Sequence, residues 1–223
     1  MDVKNNVLKV KTEIEQACQK AGRSSKDVSV IAVTKYVDSD LAAQVFQAGL
    51  QDIGENRVDK FLEKYQALKE YDLTWHLIGS LQRRKVKDVI DYVDYFHALD
   101  SLKLAQEIQK RSKKTVKCFL QVNISGEESK HGFAPHEIDS VLDQLKDLDK
   151  IELVGLMTMA PFEADEDQLH QLFQEAHTLQ TQIRNKKIKN MPFTELSMGM
   201  SGDYPLAIQH GATFVRIGSA FFK

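Results

Sequence analysis

Lys35 follows directly after the apolar segment of residues 28–34, and its position in the chain suggests chemistry. A lysine at the carboxyl end of a buried strand can direct its amine into a ligand pocket, where apolar surroundings disfavour the ammonium form. Such an amine can attack an aldehyde or ketone to form a Schiff base. The alternative is a strand-end lysine that extends its charge into water. Which of the two applies depends on what lies beside Lys35 in the fold.

Polar residues and glycines also follow the last two predicted strands. Ser201, Gly202 and Asp203 follow one of them, and Gly218 and Ser219 follow the other. Glycines let backbone N–H groups approach an anion, a serine hydroxyl adds a donor, and the start of a short helix near residue 203 adds a positive dipole end. These segments predict a phosphate site, although the first of them could instead serve only as a turn and helix N-cap.

Arg216 lies two residues before Gly218 on the last predicted strand. A guanidinium buried in the mouth of a barrel is costly unless an anion or acceptor satisfies it. A phosphate, a ring nitrogen, or Glu195 in a structural ion pair would each serve. Asn56 and His76 are weaker candidates for the site, because a histidine within a strand is more often a hydrogen-bonded core residue.

Apolar periodicity predicts eight strands that alternate with helices. The predicted strands cover residues 28–34, 52–56, 75–79, 95–99, 116–123, 152–159, 194–198 and 213–218. The predicted helices cover residues 3–22, 38–49, 57–70, 81–92, 101–112, 135–147, 165–185 and 203–210. Strict alternation favours a parallel α/β sheet, and eight repeats favour a single (β/α)8 TIM-type barrel domain over residues 1–223. A doubly wound open sheet is the alternative.

The extra helix at residues 3–22 has a predicted role in this barrel. Too few residues follow the strand at 213–218 to form an eighth outer helix after it, so the amino-terminal helix is expected to cover that flank. In such barrels the ligand site lies at the carboxyl ends of the strands. The polar residues described above therefore belong to one predicted site.

Net charge, cysteine spacing and the absence of several motifs argue against several classes of function. The 30 basic and 32 acidic residues give a net charge of -2, which provides no overall field for nucleic acid or an anionic membrane. A signal peptide and a membrane span are not recognisable, so a cytoplasmic location is expected. Cys18 and Cys118 lack metal-type spacing and suit reduced, structural thiols. Motifs for nucleotide hydrolysis, zinc proteolysis and serine hydrolysis are absent.

Taken together, five segments resemble the pyridoxal phosphate homeostasis protein family, a single barrel similar to the amino-terminal domain of alanine racemase. They are Ala32–Lys35, Ile53–Asn56, Trp75–Gln82, Ser197–Asp203 and Val215–Gly218. The resemblance implies that Lys35 carries pyridoxal 5′-phosphate as a Schiff base and that Ser201, Gly218 and Ser219 bind its phosphate. It also implies that Arg216 faces the pyridine nitrogen. Arg84 departs from the asparagine expected in the loop after the third strand.

The function implied by this resemblance is non-catalytic. The protein would hold pyridoxal phosphate, buffer its aldehyde and pass it to apoenzymes, as a monomer. An amino-acid racemase would use the same lysine but needs a second acid/base on the opposite face. In alanine racemases a tyrosine from a carboxyl-terminal domain of the partner subunit provides that group, and we do not expect such a domain here. A Schiff-base aldolase acting on a sugar phosphate is the third alternative.

Overall fold

The computed structural model describes residues 2–127 and 131–223, and within these residues eight parallel strands close into a barrel. The strands follow one another around the barrel in chain order, and β1 pairs with β8 to close it. They are β1 (Ser29–Val33), β2 (Asp52–Glu55), β3 (Thr74–Leu77), β4 (Tyr95–Leu99), β5 (Val116–Gln121), β6 (Ile151–Met157), β7 (Glu195–Met200) and β8 (Phe214–Ile217). The predicted barrel is confirmed, and the open sheet is excluded.

Eight helices surround the strands within the described part of the chain. They are α1 (Val3–Lys20), α2 (Ser39–Gln47), α3 (Val58–Leu68), α4 (Val86–Val89), α5 (Leu102–Arg111), α6 (Ile138–Leu145), α7 (Glu166–Asn185) and α8 (Tyr204–Gln209). Short 3-10 segments follow α1, flank α4 and precede α6. No helix of residues 2–127 and 131–223 has the length and apolarity needed to cross a membrane.

Helix α1 covers the flank next to β8, as predicted. It packs against α8 and α2 through an apolar face that includes Val7 and Ile14. The Asn6 side chain donates to the backbone carbonyls of Phe221 and Lys223, which ties the helix to the end of the chain. The amino-terminal helix therefore occupies the place of an outer helix after the last strand.

The prediction of one continuous helix over residues 81–92 is wrong. The structure has a 3-10 segment at Arg83–Lys85, one turn of α-helix at Val86–Val89 and a second 3-10 segment at Ile90–Tyr92. The apolar spacing was helical, but the β-branched pair Val89 and Ile90 loses side-chain freedom in a helix. Val89 departs from helical geometry with φ -125°.

Aromatic rings fill the barrel interior. Phe119 of β5 and Phe214 of β8 meet edge to face with centroids 5.4 Å apart, and the His97 ring stacks on Phe119 at 4.2 Å. Cys18 and Cys118 are buried free thiols, and burial raises the pKa of both. The packed interior leaves the carboxyl ends of the strands as the place where a ligand can meet polar side chains.

Candidate cofactor site at the barrel mouth

Lys35 lies at the mouth of the barrel, just beyond β1, but its side chain is exposed. The chain turns at this point, since the Val37 N–H donates to the Thr34 carbonyl at 3.1 Å. The Lys35 amine lies 4.7 Å from the centroid of the Tyr36 ring. The predicted position at the strand end is confirmed, whereas the predicted burial of the amine is wrong. The turn lifts the side chain above the apolar interior.

A buried polar cluster fixes the backbone that carries Lys35. Lys64 donates to the Thr34 carbonyl at 2.9 Å and to Glu55 Oε1 at 2.6 Å. The Thr34 hydroxyl donates to the same Glu55 oxygen at 2.6 Å. Among the described residues, Glu55 Oε2 has no hydrogen-bond partner. This cluster joins α3 to the ends of β1 and β2.

Sequence reasoning missed this cluster, although a signal for it was present. Lys64 lies on the apolar stripe of α3 that also contains Phe61 and Leu68. A lysine on a buried helix face requires an acceptor, because an unpaired buried ammonium is costly. The carboxylate of Glu55 at the end of β2 is that acceptor.

The segments after β7 and β8 meet, as the predicted phosphate site requires. The Gly218 N–H donates to the Ser201 hydroxyl oxygen at 3.2 Å. A Cβ added at Gly218 would lie 3.0 Å from the Val33 carbonyl oxygen, whereas a Cβ at Gly202 would meet no atom within 4 Å. Ser219 is exposed at the start of the turn that follows β8. The four predicted phosphate residues thus lie on two adjoining turns at one edge of the mouth.

Asp203 ends the first of these turns. Its Oδ1 accepts from the Met200 N–H at 2.6 Å. Burial raises the pKa of the Asp203 carboxyl, and nearby Arg216 opposes that shift. Helix α8, which follows, has six residues. A helix this short adds little dipole, so the donor groups of the turns are the main attraction for an anion.

Arg216 is buried near the carboxyl end of β8. Its Nη1 donates to the Ser197 hydroxyl oxygen at 2.5 Å, and its Nη2 donates to the Thr158 carbonyl at 3.0 Å. Burial lowers the pKa of Arg216 to about 10, and Asp203 opposes that shift. Since Thr158 lies directly after β6, these contacts place the guanidinium at the upper level of the barrel. A guanidinium has more N–H donors than these two bonds use.

The alternative partner Glu195 is wrong. Its Oε1 accepts from the Thr194 hydroxyl at 3.0 Å. The register of β7 and β8 pairs Arg216 with Met200, at the opposite end of β7 from Glu195. The two side chains therefore lie at different levels of the barrel.

Asn56 and His76 lie in different surroundings. Asn56 is exposed in the turn after β2, and its carbonyl oxygen would lie 2.1 Å from a Cβ added at Gly79. His76 is fully buried, with Nε2 2.8 Å from Asp52 Oδ1 and Nδ1 2.9 Å from His97 Nε2. Asn56 therefore borders the mouth, whereas His76 lies inside the barrel. Arg84 is exposed in the 3-10 segment after β3, and its Nε donates to the Gln82 side chain.

The donor set fits a phosphate ester that carries a carbonyl group and a ring acceptor. The turns at Ser201 and Gly218 provide backbone N–H groups and the Ser201 hydroxyl for an anion, with the Gly218 N–H orienting that hydroxyl, and Lys35 provides a primary amine. Buried Arg216 provides donors for an uncharged acceptor. β1 neighbours β8 around the barrel, and Ile31 pairs with Arg216. The amine and the guanidinium therefore belong to adjacent strands.

Comparisons with known proteins give a consistent result. Residues 9–223 match the family model for the alanine racemase N-terminal domain. A pyridoxal phosphate homeostasis protein of Aquifex aeolicus is 36% identical, and the match covers 100% of this chain and 98% of the relative.

Solved structures agree with the sequence matches. The structure of PipY from Synechococcus elongatus with PLP bound has a TM-score of 0.83 and 32% identity, covering 95% of this chain and 100% of that one. An alanine racemase of Clostridium difficile has a TM-score of 0.77 at 15% identity, covering 98% of this chain and 56% of that one, and it shows a shared fold alone. The barrel, its strand-end residues and these matches agree that the chain belongs to the alanine racemase N-terminal domain family, within the group of pyridoxal phosphate homeostasis proteins.

Proposed function

We propose that this protein binds pyridoxal 5′-phosphate through Lys35 and buffers or delivers it within the cell, without catalysing a reaction of its own. One observation supports the proposal: an amine, two turns with donors for an anion and a buried guanidinium lie at the carboxyl ends of the neighbouring strands β1, β7 and β8. The naming of full-length relatives and the PLP-bound structure of PipY support it.

Each part of the cofactor has a candidate partner. The phosphate would lie on Ser201, Gly202, Gly218 and Ser219. The ring nitrogen would accept a hydrogen bond from Arg216, and Asn56 would border the ring or phosphate from the β2 side. His76 is proposed to support the cofactor site from within the barrel, without direct contact with the cofactor.

The covalent link would form between the Lys35 nitrogen and the aldehyde carbon, with loss of one water molecule. When bound, the cofactor supplies an electrophilic carbon and an electron-withdrawing ring. An arginine at the ring nitrogen leaves that nitrogen unprotonated and weakens the electron sink. This arrangement suits retention of the cofactor better than chemistry on an amino acid.

The test is an absorption spectrum of the protein titrated with pyridoxal phosphate. Wild-type protein should develop a visible band that borohydride removes, and Lys35→Ala should lose the band. Lys9→Ala is the matched control, because Lys9 is also exposed but lies on α1, away from the mouth. A colourless wild-type protein that cannot be loaded, or an unchanged band in Lys35→Ala, would refute the proposal.

The racemase alternative is tested by measuring exchange of an amino acid's α-hydrogen with solvent. An acid/base on the face opposite Lys35 would release the α-hydrogen of an amino acid to solvent. Incubating loaded protein with a panel of amino acids in deuterated water should leave the α-carbon unlabelled. Labelling at turnover-like rates would replace the carrier function with a racemase. A sugar phosphate trapped on Lys35 by borohydride would instead favour the aldolase.

The proposal extends to the state and partners of the protein. We take residues 1–223 as one cofactor-binding domain that acts as a cytoplasmic monomer and supplies apoenzymes. Sedimentation of the loaded protein at a monomer mass, and faster reactivation of an apoenzyme by loaded protein than by free cofactor, would support these points. A stable dimer or equal reactivation would contradict them.

A further inference from the structure

A continuous chain of hydrogen bonds crosses the barrel interior from Arg216 to Asp52. Arg216 Nη1 donates to Ser197 Oγ at 2.5 Å, and that oxygen lies 2.9 Å from His97 Nδ1. His97 Nε2 lies 2.9 Å from His76 Nδ1, and His76 Nε2 lies 2.8 Å from Asp52 Oδ1. Ser197 and both histidines have no exposed surface. We call this set of five residues the relay.

With both imidazoles neutral, the two ends of the relay fix the direction of every bond in it. A guanidinium can only donate and an ionised carboxylate can only accept. Because Ser197 accepts from Arg216, its own hydroxyl hydrogen is available for His97 Nδ1. His97 then carries its proton on Nε2 and donates to His76 Nδ1, and His76 donates from Nε2 to Asp52. In this arrangement both imidazoles are protonated on Nε2, and the second lone pair of the Ser197 oxygen also accommodates the reversed bonds that a doubly protonated His76 would make.

The surroundings of the histidines agree with this assignment. Burial, together with His76 and Arg216, holds the pKa of His97 well below its usual range. His97 stacks on Phe119 at 4.2 Å, and His76 stacks on Tyr95 at 4.8 Å. These ring contacts exclude water from the middle of the relay. Its hydrogen bonds are therefore strengthened by the low local dielectric.

The relay joins opposite ends of the barrel. Asp52 begins β2, so it lies at the amino end of the strands, and its side chain is 22% exposed. Arg216 lies near the carboxyl end of β8, beside the mouth. Asp52 is thus an indirect counter-charge for Arg216, although the two are separated by three intervening side chains.

We propose that Asp52, His76, His97 and Ser197 are positioning residues, which hold the Arg216 guanidinium as an oriented donor toward the ring nitrogen of bound pyridoxal phosphate. This inference rests on the proposed function, since it assigns the relay to that cofactor. Ser197 restrains one nitrogen of Arg216 and Thr158 restrains another. With its plane held in this way, the guanidinium loses little further freedom when it meets the ring.

The first measurement concerns the unloaded protein and is independent of the cofactor. Nitrogen-15 NMR of the imidazoles should show a coupling between His76 Nδ1 and His97 Nε2 across their hydrogen bond, with His97 neutral. Absence of that coupling, or a charged His97 near neutral pH, would overturn the relay.

The second measurement tests the coupling to the cofactor. His97→Phe keeps an aromatic ring against Phe119 but breaks the chain, and Ser197→Ala removes the acceptor for Arg216. Both should weaken pyridoxal phosphate binding by about ten- to a hundredfold, the size of a lost charge-assisted hydrogen bond. They should also shift the absorption band of the cofactor on Lys35.

Conservative variants separate positioning from packing. In His97→Gln the amide oxygen can accept from Ser197 and the amide nitrogen can donate to His76, so affinity and band position should return close to wild type. His210→Gln, outside the relay, should change neither. Equal affinity and an unshifted band in both breaking variants would refute the inference while leaving the proposed function intact. A wild-type protein that binds no pyridoxal phosphate would refute both.

Discussion

Lys35 and Lys64 differ in their exposure and in their roles. Lys35 is exposed above the barrel mouth, free to reach a carbonyl compound. Lys64 is buried and paired with Glu55, and it holds the Thr34 carbonyl next to Lys35. Removing one partner of a buried pair leaves an uncompensated charge, which costs more than the pair contributes. The buried lysine therefore supports the exposed one.

Lys64→Met should lower the free energy of unfolding by about 3–5 kcal/mol, because Glu55 would remain buried and unpaired. Lys60→Met is the matched control on the same helix. Lys60 pairs with Glu63 in an exposed ion pair, which contributes about 0–1 kcal/mol. Urea unfolding of both variants measures the difference.

The double variant Glu55→Leu/Lys64→Met removes both charges and should recover much of the loss. Equal stability of Lys64→Met and Lys60→Met would contradict the view that the buried Lys64–Glu55 pair anchors the turn that carries Lys35.

At the scale of elements, neighbouring strand ends are joined by close backbone contact. The turn after β3 lies against the turn after β2, because Gly79 has no Cβ to hold it away from the Asn56 carbonyl. The turn after β8 packs in the same way, with Gly218 against Val33. These contacts set the width of the mouth and bring residues of different strands within reach of one ligand.

Gly79→Ala should destabilise the protein toward the upper end of about 1–3 kcal/mol, because the added carbon would lie 2.1 Å from a backbone oxygen that cannot rotate away. Gly202→Ala is the comparison for stability alone, since its added carbon would meet no atom within 4 Å. Thermal unfolding should show a lower midpoint only for Gly79→Ala. Equal midpoints would mean that the two turns separate without cost.

At the scale of the whole molecule, the flank beside the last strand, β8, is covered by a helix from the beginning of the chain, α1. α1 precedes β1 in sequence but covers the side of the barrel near α8. Arg23, just after this helix, donates to the Ile208 carbonyl at 2.7 Å, which adds a second tie. The first and last parts of the chain are thus joined in one folded unit.

Ile14→Ala should cost about 2–5 kcal/mol, because Ile14 is 3% exposed and its truncation leaves a cavity between α1 and the barrel. Leu8→Ala, on the same helix but 53% exposed, should change stability by no more than about 0.5 kcal/mol. Chemical denaturation compares the two. A small effect for Ile14→Ala would contradict the view that the packing of α1 stabilises the barrel.

Much of the architecture could be predicted because strand and helix periodicities are local properties of the sequence. The positions of Lys35, Ser201 and Gly218 at strand ends followed from those periodicities. Their grouping in one site followed from the rule that such barrels bind ligands at the carboxyl ends of their strands. The exposure of Lys35 could not, because it depends on the turn that the Thr34 carbonyl makes with Val37. The irregular segment after β3 also escaped prediction, since its apolar spacing was that of a helix.

The sequence by itself determined the barrel, the order of its strands and which polar residue follows each strand, because these depend on patterns between near neighbours. Only the tertiary structure decided how distant residues combine. His76 and His97 are 21 positions apart, and His97 and Ser197 are 100 apart, yet they hydrogen-bond in succession. Closure places their strands around one interior, where buried polar groups must find partners in each other. The relay beneath Arg216 follows from that geometry.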